Sequence, residues 1–300
     1  MHPYATEVYA RSLMHLGSPV EIPEWESWAI IHPIADGLFD VSGPYPLSVI
    51  SRSADLSAGL ERLRKIGAVS VTLVLDGFNC PSIDRISECF DIVTPFKTHY
   101  VVDRSIGEPK PSKHHRYEIR RALECVTVRQ FALKDHLPAW IDLYANLSQR
   151  HGLKGVHDFP KAHHEALATM QNIVTVGAFD GDILLAAHIW VFDGDLFHSH
   201  LAASSEAGYA LGAAYAVNDH SIRLFSQARI INLGGSAGHV ENPDDGLARF
   251  KRGFANSASS AYICGKILDE GIYERLATNH QNNNYFPAYR GPTVKVQQVK

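Results

Sequence analysis

Residues 173–202 restrict the fold more than any other part of the chain. Ile173–Phe179 (IVTVGAF) and Ile183–Phe192 (ILLAAHIWVF) are β-rich runs joined across Asp180-Gly181. A D-G pair between such runs is a strong hairpin signal, because a tight turn needs positive φ that Asp tolerates and Gly adopts freely. A second tight turn, Asp193-Gly194-Asp195, leads into a third antiparallel strand, Leu196–Ala202. The meander is followed by a loop of small residues, a helix expected over about Gly212–Gln227, and a short strand, Ile230–Leu233. Helices are expected ahead of the meander over Leu137–Arg150, where Trp140, Leu143, Tyr144 and Leu147 share a face, and over Pro160–Met170.

The first third of the chain also mixes helix and strand. Ser27–Ile34 reads as a strand, and Leu38–Val41 runs into the turn-rich Ser42-Gly43-Pro44-Tyr45-Pro46. Asp55–Ile66 places Leu56, Leu60 and Leu63 at helical spacing, with Gly67 as its C-cap. Val69–Leu75 and His99–Asp103 are strand candidates by their β-branched content. The polar stretch Arg104–Pro111 is the best linker in the chain, and Ser112 caps a helix running to about Glu124. At 300 residues two domains are the expectation, divided as 1–107 and 108–300.

Composition narrows the function classes. Lys and Arg number 28 against 32 Asp and Glu, a net charge of −4, with 45% hydrophobic residues. That balance excludes whole-chain disorder and a general coat on nucleic acid, while leaving room for a local basic strip. The cysteines Cys80, Cys89, Cys125 and Cys264 are scattered without a C-x-x-C pair, so neither a zinc ribbon nor a disulfide framework is expected. The 17 histidines raise the question of a metal. There is no H-E-x-x-H, however, and the adjacent pairs His114-His115 and His163-His164 suit a shared ion poorly on a helix, so no metal site is expected. The N-terminal segment lacks the apolar core of a signal peptide and no run is long enough to span a membrane, which suggests a cytoplasmic protein.

The order of two helices, an antiparallel meander, a small-residue loop, a helix and a strand is similar to the core of GNAT acyltransferase domains. The segment from Ser204 to Tyr215 stands where that fold binds its acyl donor, but it lacks the Q/R-x-x-G-x-G/A loop of acetyl-CoA users. Further on come Asn232-Leu233-Gly234-Gly235 and Gly246-Leu247-Ala248-Arg249-Phe250-Lys251-Arg252-Gly253-Phe254. This N-L-G-G … F-K-x-G-F arrangement resembles the FemABX-type transferases, a double-GNAT family that moves amino acids from aminoacyl-tRNA onto amines. The basic helix Ser112–Ala122 is similar to that family's K-x-x-R-x-x-I-R-x-A stretch, and Ser42–Leu47 to an incomplete form of its Y-G-Y loop. The long coiled-coil arm of some members is absent.

The resemblance implies an α/β protein of two GNAT-like halves, each a mostly antiparallel sheet flanked by helices, with the transfer site in the second. It implies Lys251 and Phe250 as catalytic residues, Lys251 stabilising the oxyanion formed when an amine attacks an ester or thioester, and His200 joins them as a catalytic candidate from its place on the expected strand. His198, His200, Asp244 and Asp245 are candidate bases. Ser204, Tyr209, Gly212, Tyr215 and Arg252 are the donor-binding candidates. Tyr45, Arg116, Arg120, Arg121 and Asn232 are those for the acceptor or for phosphates. No bound cofactor is expected. The co-substrate is aminoacyl-tRNA, engaged by its acceptor end, or alternatively an acyl-CoA. The acceptor is an amine on a cell-envelope precursor or small natural product. A non-catalytic binding protein of the same fold is the third reading. The run Tyr285–Arg290 is expected to dock on the sheet as a terminal strand, or else to lie by the acceptor groove.

Overall fold

The computed structural model describes residues 1–78, 80–238, 245–278, 280 and 285–291. Among the described residues eleven strands form one sheet: β1 (Ser18–Ile22), β2 (Ser27–Pro33), β3 (Phe39–Ser42), β4 (Ser70–Leu75), β5 (Ile92–Asp103), β6 (Thr127–Phe131), β7 (Ile173–Asp180), β8 (Ile183–Asp193), β9 (Leu196–Ser204), β10 (Ile230–Gly234) and β11 (Ser257–Ile267). Their spatial order is β1-β2-β3-β4-β11-β5-β10-β9-β8-β7-β6. All neighbours are antiparallel except β3–β4 and β9–β10. The helices described beside the sheet are α1 (Glu7–Ser12), α2 (Leu56–Lys65), α3 (Ile83–Cys89), α4 (Lys113–Leu123), α5 (Leu137–His151), α6 (Lys161–Leu167), α7 (Glu206–Leu211), α8 (Ala213–Leu224), α9 (Gly246–Arg252) and α10 (Glu270–Ala277).

The mixed α/β architecture expected from the sequence is present, and the meander β7-β8-β9 lies where its turn signals put it. Three features go beyond the sequence reading. β5 is twelve residues long rather than five. The small-residue loop is a helix, α7, broken from α8 at Gly212, whose φ of +70° only glycine holds without strain. β11 was not anticipated. It returns from the end of the chain to lie between β4 and β5, so pairing is continuous across residue 107.

Packing sorts the helices by face. α2 and α3 bury Leu56, Leu60, Leu63 and Ile86 with Val71, Leu73 and Cys264. α4, α8 and α9 cover one face of the second part of the sheet through Ile119, Ile222, Phe225, Ala248 and Phe254 around Trp190. α1, α5 and α6 cover the opposite face through Tyr9, Trp140, Leu143 and Leu167 around Ile189 and Val191. The aromatic tail docks on the far end of the sheet as a 3-10 turn, Ala288–Arg290, rather than as a strand. Tyr289 bonds Ser70 at 2.7 Å, and Arg290 grips the Asp40 carboxylate at 2.7 Å. All four cysteines are free thiols.

Candidate active site at a fork in the sheet

β9 and β10 pair for only three residues, Leu196–His198 against Ile230–Asn232, and then separate. The fork that results exposes backbone edges of both strands in the middle of the sheet. On its β9 side a β-bulge leaves His200 without an opposite residue, since Leu201 faces Ile189 and Ser199 faces Trp190. On its β10 side Leu233 is the extra residue of a second irregularity against β5.

The closed end of the fork is tied by a buried polar knot centred on Asp76, just past β4. Its Oδ2 accepts from His198 Nε2 at 2.6 Å and from Asn232 Nδ2 at 3.0 Å, and its Oδ1 accepts from Phe78 N at 3.0 Å. Burial alone would raise the carboxyl pKa. The hydrogen bonds from His198 Nε2–H and Phe78 N–H outweigh it and hold the group well below the usual carboxylate range. Asn232 also donates to His99 Nδ1 at 3.1 Å and accepts from Gly234 N at 2.8 Å. His2 Nδ1 accepts from Tyr4 N at 3.2 Å, so its Nε2–H donates to His198 Nδ1. Each link therefore has a donor and an acceptor. Asn232, an acceptor-site candidate by sequence, has its amide engaged inside the protein, as does His198.

The open end is organised by α9. Asp245 caps this helix, accepting from Ala248 N and Ala237 N at 3.1 Å each, and so spends its carboxylate on backbone. Asp244 lies outside the described residues. Lys251 points to the mouth of the fork and donates from Nζ to Gly235 O at 2.8 Å. Removal from water, then the nearby Lys97 charge, lower its pKa to about 7 against a smaller upward pull from Asp245. Among the described residues no carboxylate lies within ion-pair distance of it. The glycines of N-L-G-G permit this approach. Gly234 has φ +77° and a Cβ there would sit 3.0 Å from Lys251 Nζ, while a Cβ at Gly235 would meet Thr98 O at 2.9 Å.

The rest of the F-K-x-G-F element joins α9 to α4. His115 Nε2–H donates to Phe250 O and its Nδ1 accepts from Ser112 Oγ, both at 2.8 Å. A Cβ on Gly253 would sit 2.0 Å from the His115 ring. Phe250, Tyr215 and Phe254 complete an aromatic cluster around that imidazole. The α4 cations are exposed: Arg121 pairs with Glu118 at 2.7 Å, Arg116 donates to Pro111 O at 2.6 Å, and Arg120 faces solvent. Arg252 is exposed on α9, and the charges of Arg121 and Arg249 both reach the Tyr215 hydroxyl.

The other candidates divide between two places. Ser204 is buried, its carbonyl accepting from Asn146, and Tyr209 lies 4.4 Å beneath the Arg150 guanidinium. The first turn of α7 is internally capped, with Gly208 N on Ser205 Oγ at 3.0 Å. A Cβ on Gly208 would meet Leu185 O at 2.2 Å, so a small residue there serves helix–sheet contact. His200 and Tyr45 instead lie on the α1–α6 face. His200 bonds Tyr4 OH at 3.0 Å, and Tyr45 packs on His157 and Phe159. His188 bonds Ser199 Oγ at 2.8 Å and feels the Lys251 charge. Asp76, His99, Lys97 and His188 were missed by sequence reasoning, and no local signal marks them. Among the described residues no group of three or more His, Cys, Asp or Glu could hold a metal ion, and no helix is long and apolar enough to cross a membrane.

Comparison with known proteins agrees with this geometry. Residues 110–239 match the family model described as an acetyltransferase (GNAT) domain. The fold is similar to FemX, with a TM-score of 0.64 at 13% identity over 91% of this chain and 95% of that one. It is similar to the C-terminal domain of a protein from Agrobacterium fabrum described as a lysylphosphatidylglycerol synthetase, with a TM-score of 0.63 at 13% identity over 92% and 93%. It is also similar to L-PGS from Bacillus licheniformis, with a TM-score of 0.59 at 10% identity over 88% and 92%. No curated protein sequence matches the chain. The chain therefore has the FemX-like double-GNAT acyltransferase fold.

Proposed function

We propose that this protein is an acyltransferase that forms an amide, taking an aminoacyl group from charged tRNA and passing it to an amine of a cell-envelope precursor or small natural product. In this reading residues 1–107 and 108–300 act as the two GNAT-like halves, and the work is done in the cytoplasm, where charged tRNA is available. The observation that carries it is Lys251, an ammonium without an ion pair among the described residues, held by one carbonyl at the mouth of the β9–β10 fork.

The chemistry follows from that placement. The acceptor nitrogen attacks the ester carbonyl, a C–N bond forms, and negative charge collects on the carbonyl oxygen. Lys251 donates a charge-assisted hydrogen bond to that oxygen, and a developing anion favours its protonated form. Collapse breaks the C–O bond, and the proton lost by nitrogen goes to the departing ribose oxygen. Phe250, with Tyr215 behind it, forms the wall of the acyl pocket. Arg116, Arg120, Arg121 and Arg252 meet the phosphates of the acceptor end as solvent-facing cations on α4 and α9, joined through His115. Asn232 acts as a positioning residue through Asp76.

Two observations favour tRNA over CoA as donor: the internal capping of α7 where a pyrophosphate loop would stand, and the exposed cations of α4. Donor profiling against a panel of amines tests the reading. Amide formation is expected with charged total tRNA and to be abolished by ribonuclease. Product formed with acyl-CoA mixtures alone would replace the donor. No transfer from either donor would leave a binding protein.

A further inference from the structure

On the α1–α6 face of the fork, two buried imidazole nitrogens have no partner among the described residues: Nε2 of His163 and Nε2 of His200. His163 is fully buried and His200 is 8% exposed. Their rings lie 5.9 Å apart between centroids, and Tyr9 presents its ring edge-on to both, at 5.9 and 5.8 Å. Phe159 stacks on His163 at 4.1 Å, and Tyr45 packs against Phe159. The pair lies at the fork, since His200 is the bulged residue of β9 two positions past His198, the last residue that pairs with β10.

Hydrogen-bond accounting fixes the two tautomers. The one hydroxyl hydrogen of Ser12 goes to Tyr9 O at 2.6 Å. The contact from Ser12 Oγ to His163 Nδ1, at 2.9 Å, must therefore be donated by Nδ1–H. His163 is neutral, because burial lowers its pKa to about 2, so its Nε2 is a bare lone pair. Tyr4 is wholly buried and its hydroxyl hydrogen needs an acceptor, which His200 Nδ1 supplies at 3.0 Å. Burial likewise keeps His200 neutral, with a pKa of about 3, so its Nε2 carries the hydrogen. One orphan nitrogen therefore accepts and its neighbour donates. A hydroxyl group, which gives one hydrogen bond and takes one, satisfies both at once.

We propose that His163 Nε2 and His200 Nε2–H form a two-point seat for a hydroxyl group carried by the amine acceptor, so that the acceptor class is hydroxyl-bearing amines. Neutral imidazoles and aromatic walls offer no counter-charge to a carboxylate, phosphate or ammonium, which confines the seat to an uncharged polar group. The inference rests on the transferase reading only in calling the ligand the acceptor. The 3-10 turn Pro3–Ala5 and α1 roof the seat through Tyr4, Tyr9 and Ser12, so entry requires that segment to lift.

The test compares ethanolamine with ethylamine, which differ in the hydroxyl. With the wild-type protein and its donor, the acceptor KM for ethanolamine is expected to be at least about tenfold lower, because a site built for a hydroxyl discriminates against its absence. His163→Phe should erase that difference. Equal KM values in the wild type would overturn the proposal. Long-range imidazole 15N spectra of the wild-type protein give a second readout that needs neither turnover nor a folded variant. Ethanolamine should shift the Nε2 signals of His163 and His200, and ethylamine should not. If neither amine moves them, the seat holds only water and the proposal fails. If ethanolamine shifts them while no donor supports transfer, the seat stands and the transferase reading falls.

Discussion

The two ends of the β9–β10 fork solve the burial of charge in opposite ways. At the closed end the Asp76 carboxylate receives three hydrogen bonds, from His198, Asn232 and Phe78, and the network extends to His2, which donates to His198, and to His99, which accepts from Asn232. At the open end the Lys251 ammonium has one carbonyl and a pKa lowered to about 7. A saturated charge is fixed in its state and holds strands in place, whereas an unsaturated one keeps bonding capacity for something that arrives. The first end belongs to the scaffold and the second to chemistry, and the two should fail differently when altered.

The largest effect is expected at Asp76. Asp76→Ala leaves His198 and Asn232 with unmet donors in the interior and should cost about 3–5 kcal/mol in urea unfolding. The pH dependence has a definite sign. The folded carboxyl pKa is depressed, so its stabilisation is present above the ordinary carboxylate pKa and is lost as pH falls through the folded value. His99, His163, His164, His188 and His200, held neutral by burial, add to acid sensitivity below about 6.5, because unfolding lets them take up protons. Lys251→Met should invert the pattern: unfolding free energy unchanged or raised, and kcat for amide formation down by about 10²–10³. A variant pair that lost both properties equally would dissolve the distinction between the two ends.

What the sequence revealed of this contrast depended on distance along the chain. The meander was legible because its turns and alternation are local, and α4 because Ser112 caps it at once. β11 was not. Its small residues, Ser257, Ala258, Ser259, Ser260 and Ala261, show no apolar alternation, and its partner strands lie more than 150 residues upstream. The upstream half of β5 was missed for a related reason: Pro95 and Lys97 obscure a strand that only β11 completes. Lys251 and Phe250 were found through the F-K-x-G-F motif rather than through any property of the residues themselves. Asp76 sits in Leu-Asp-Gly, which reads as a turn, and its partners lie 122 and 156 residues downstream. A hydrogen-bonded knot assembled from five distant segments leaves no periodic trace.

Gly253→Ala probes the joint between α9 and α4. The new methyl would overlap the His115 ring, which is held at both ends by Ser112 and Phe250 O and so has little room to yield. A cost of about 1–3 kcal/mol is expected, together with loss of activity as Lys251 shifts at the fork. Thermal melts with activity at matched temperature would separate the two. Unchanged melting and activity would show that the joint does not position the lysine.

Next comes the titration of Lys251. The role assigned to it requires the cation, so kcat should fall about tenfold per pH unit above its pKa once that step limits, while acceptor deprotonation gives the opposite limb at lower pH. Lys251→Arg keeps a charge that does not titrate. It should slow the reaction through altered geometry yet remove the descending limb. A limb that persists in the arginine variant would belong to another group.

The smallest effect is expected on the basic face of α4. Arg120 is exposed, so replacing it barely alters folding, and a phosphate contact in water is worth little at moderate salt. Arg120→Glu should raise KM for charged tRNA a few-fold, with the change shrinking as salt increases, and the logarithmic salt dependence of binding should lose about one unit of slope per contact removed. The same variant should leave the acceptor KM unmoved, because the acceptor candidates Tyr45 and His200 lie on the α1–α6 face of the sheet. A matching loss for acceptor and donor would mean that the two faces of the fork do not serve separate substrates, and the division between a donor side at Lys251 and an acceptor side at His200 would have to be redrawn.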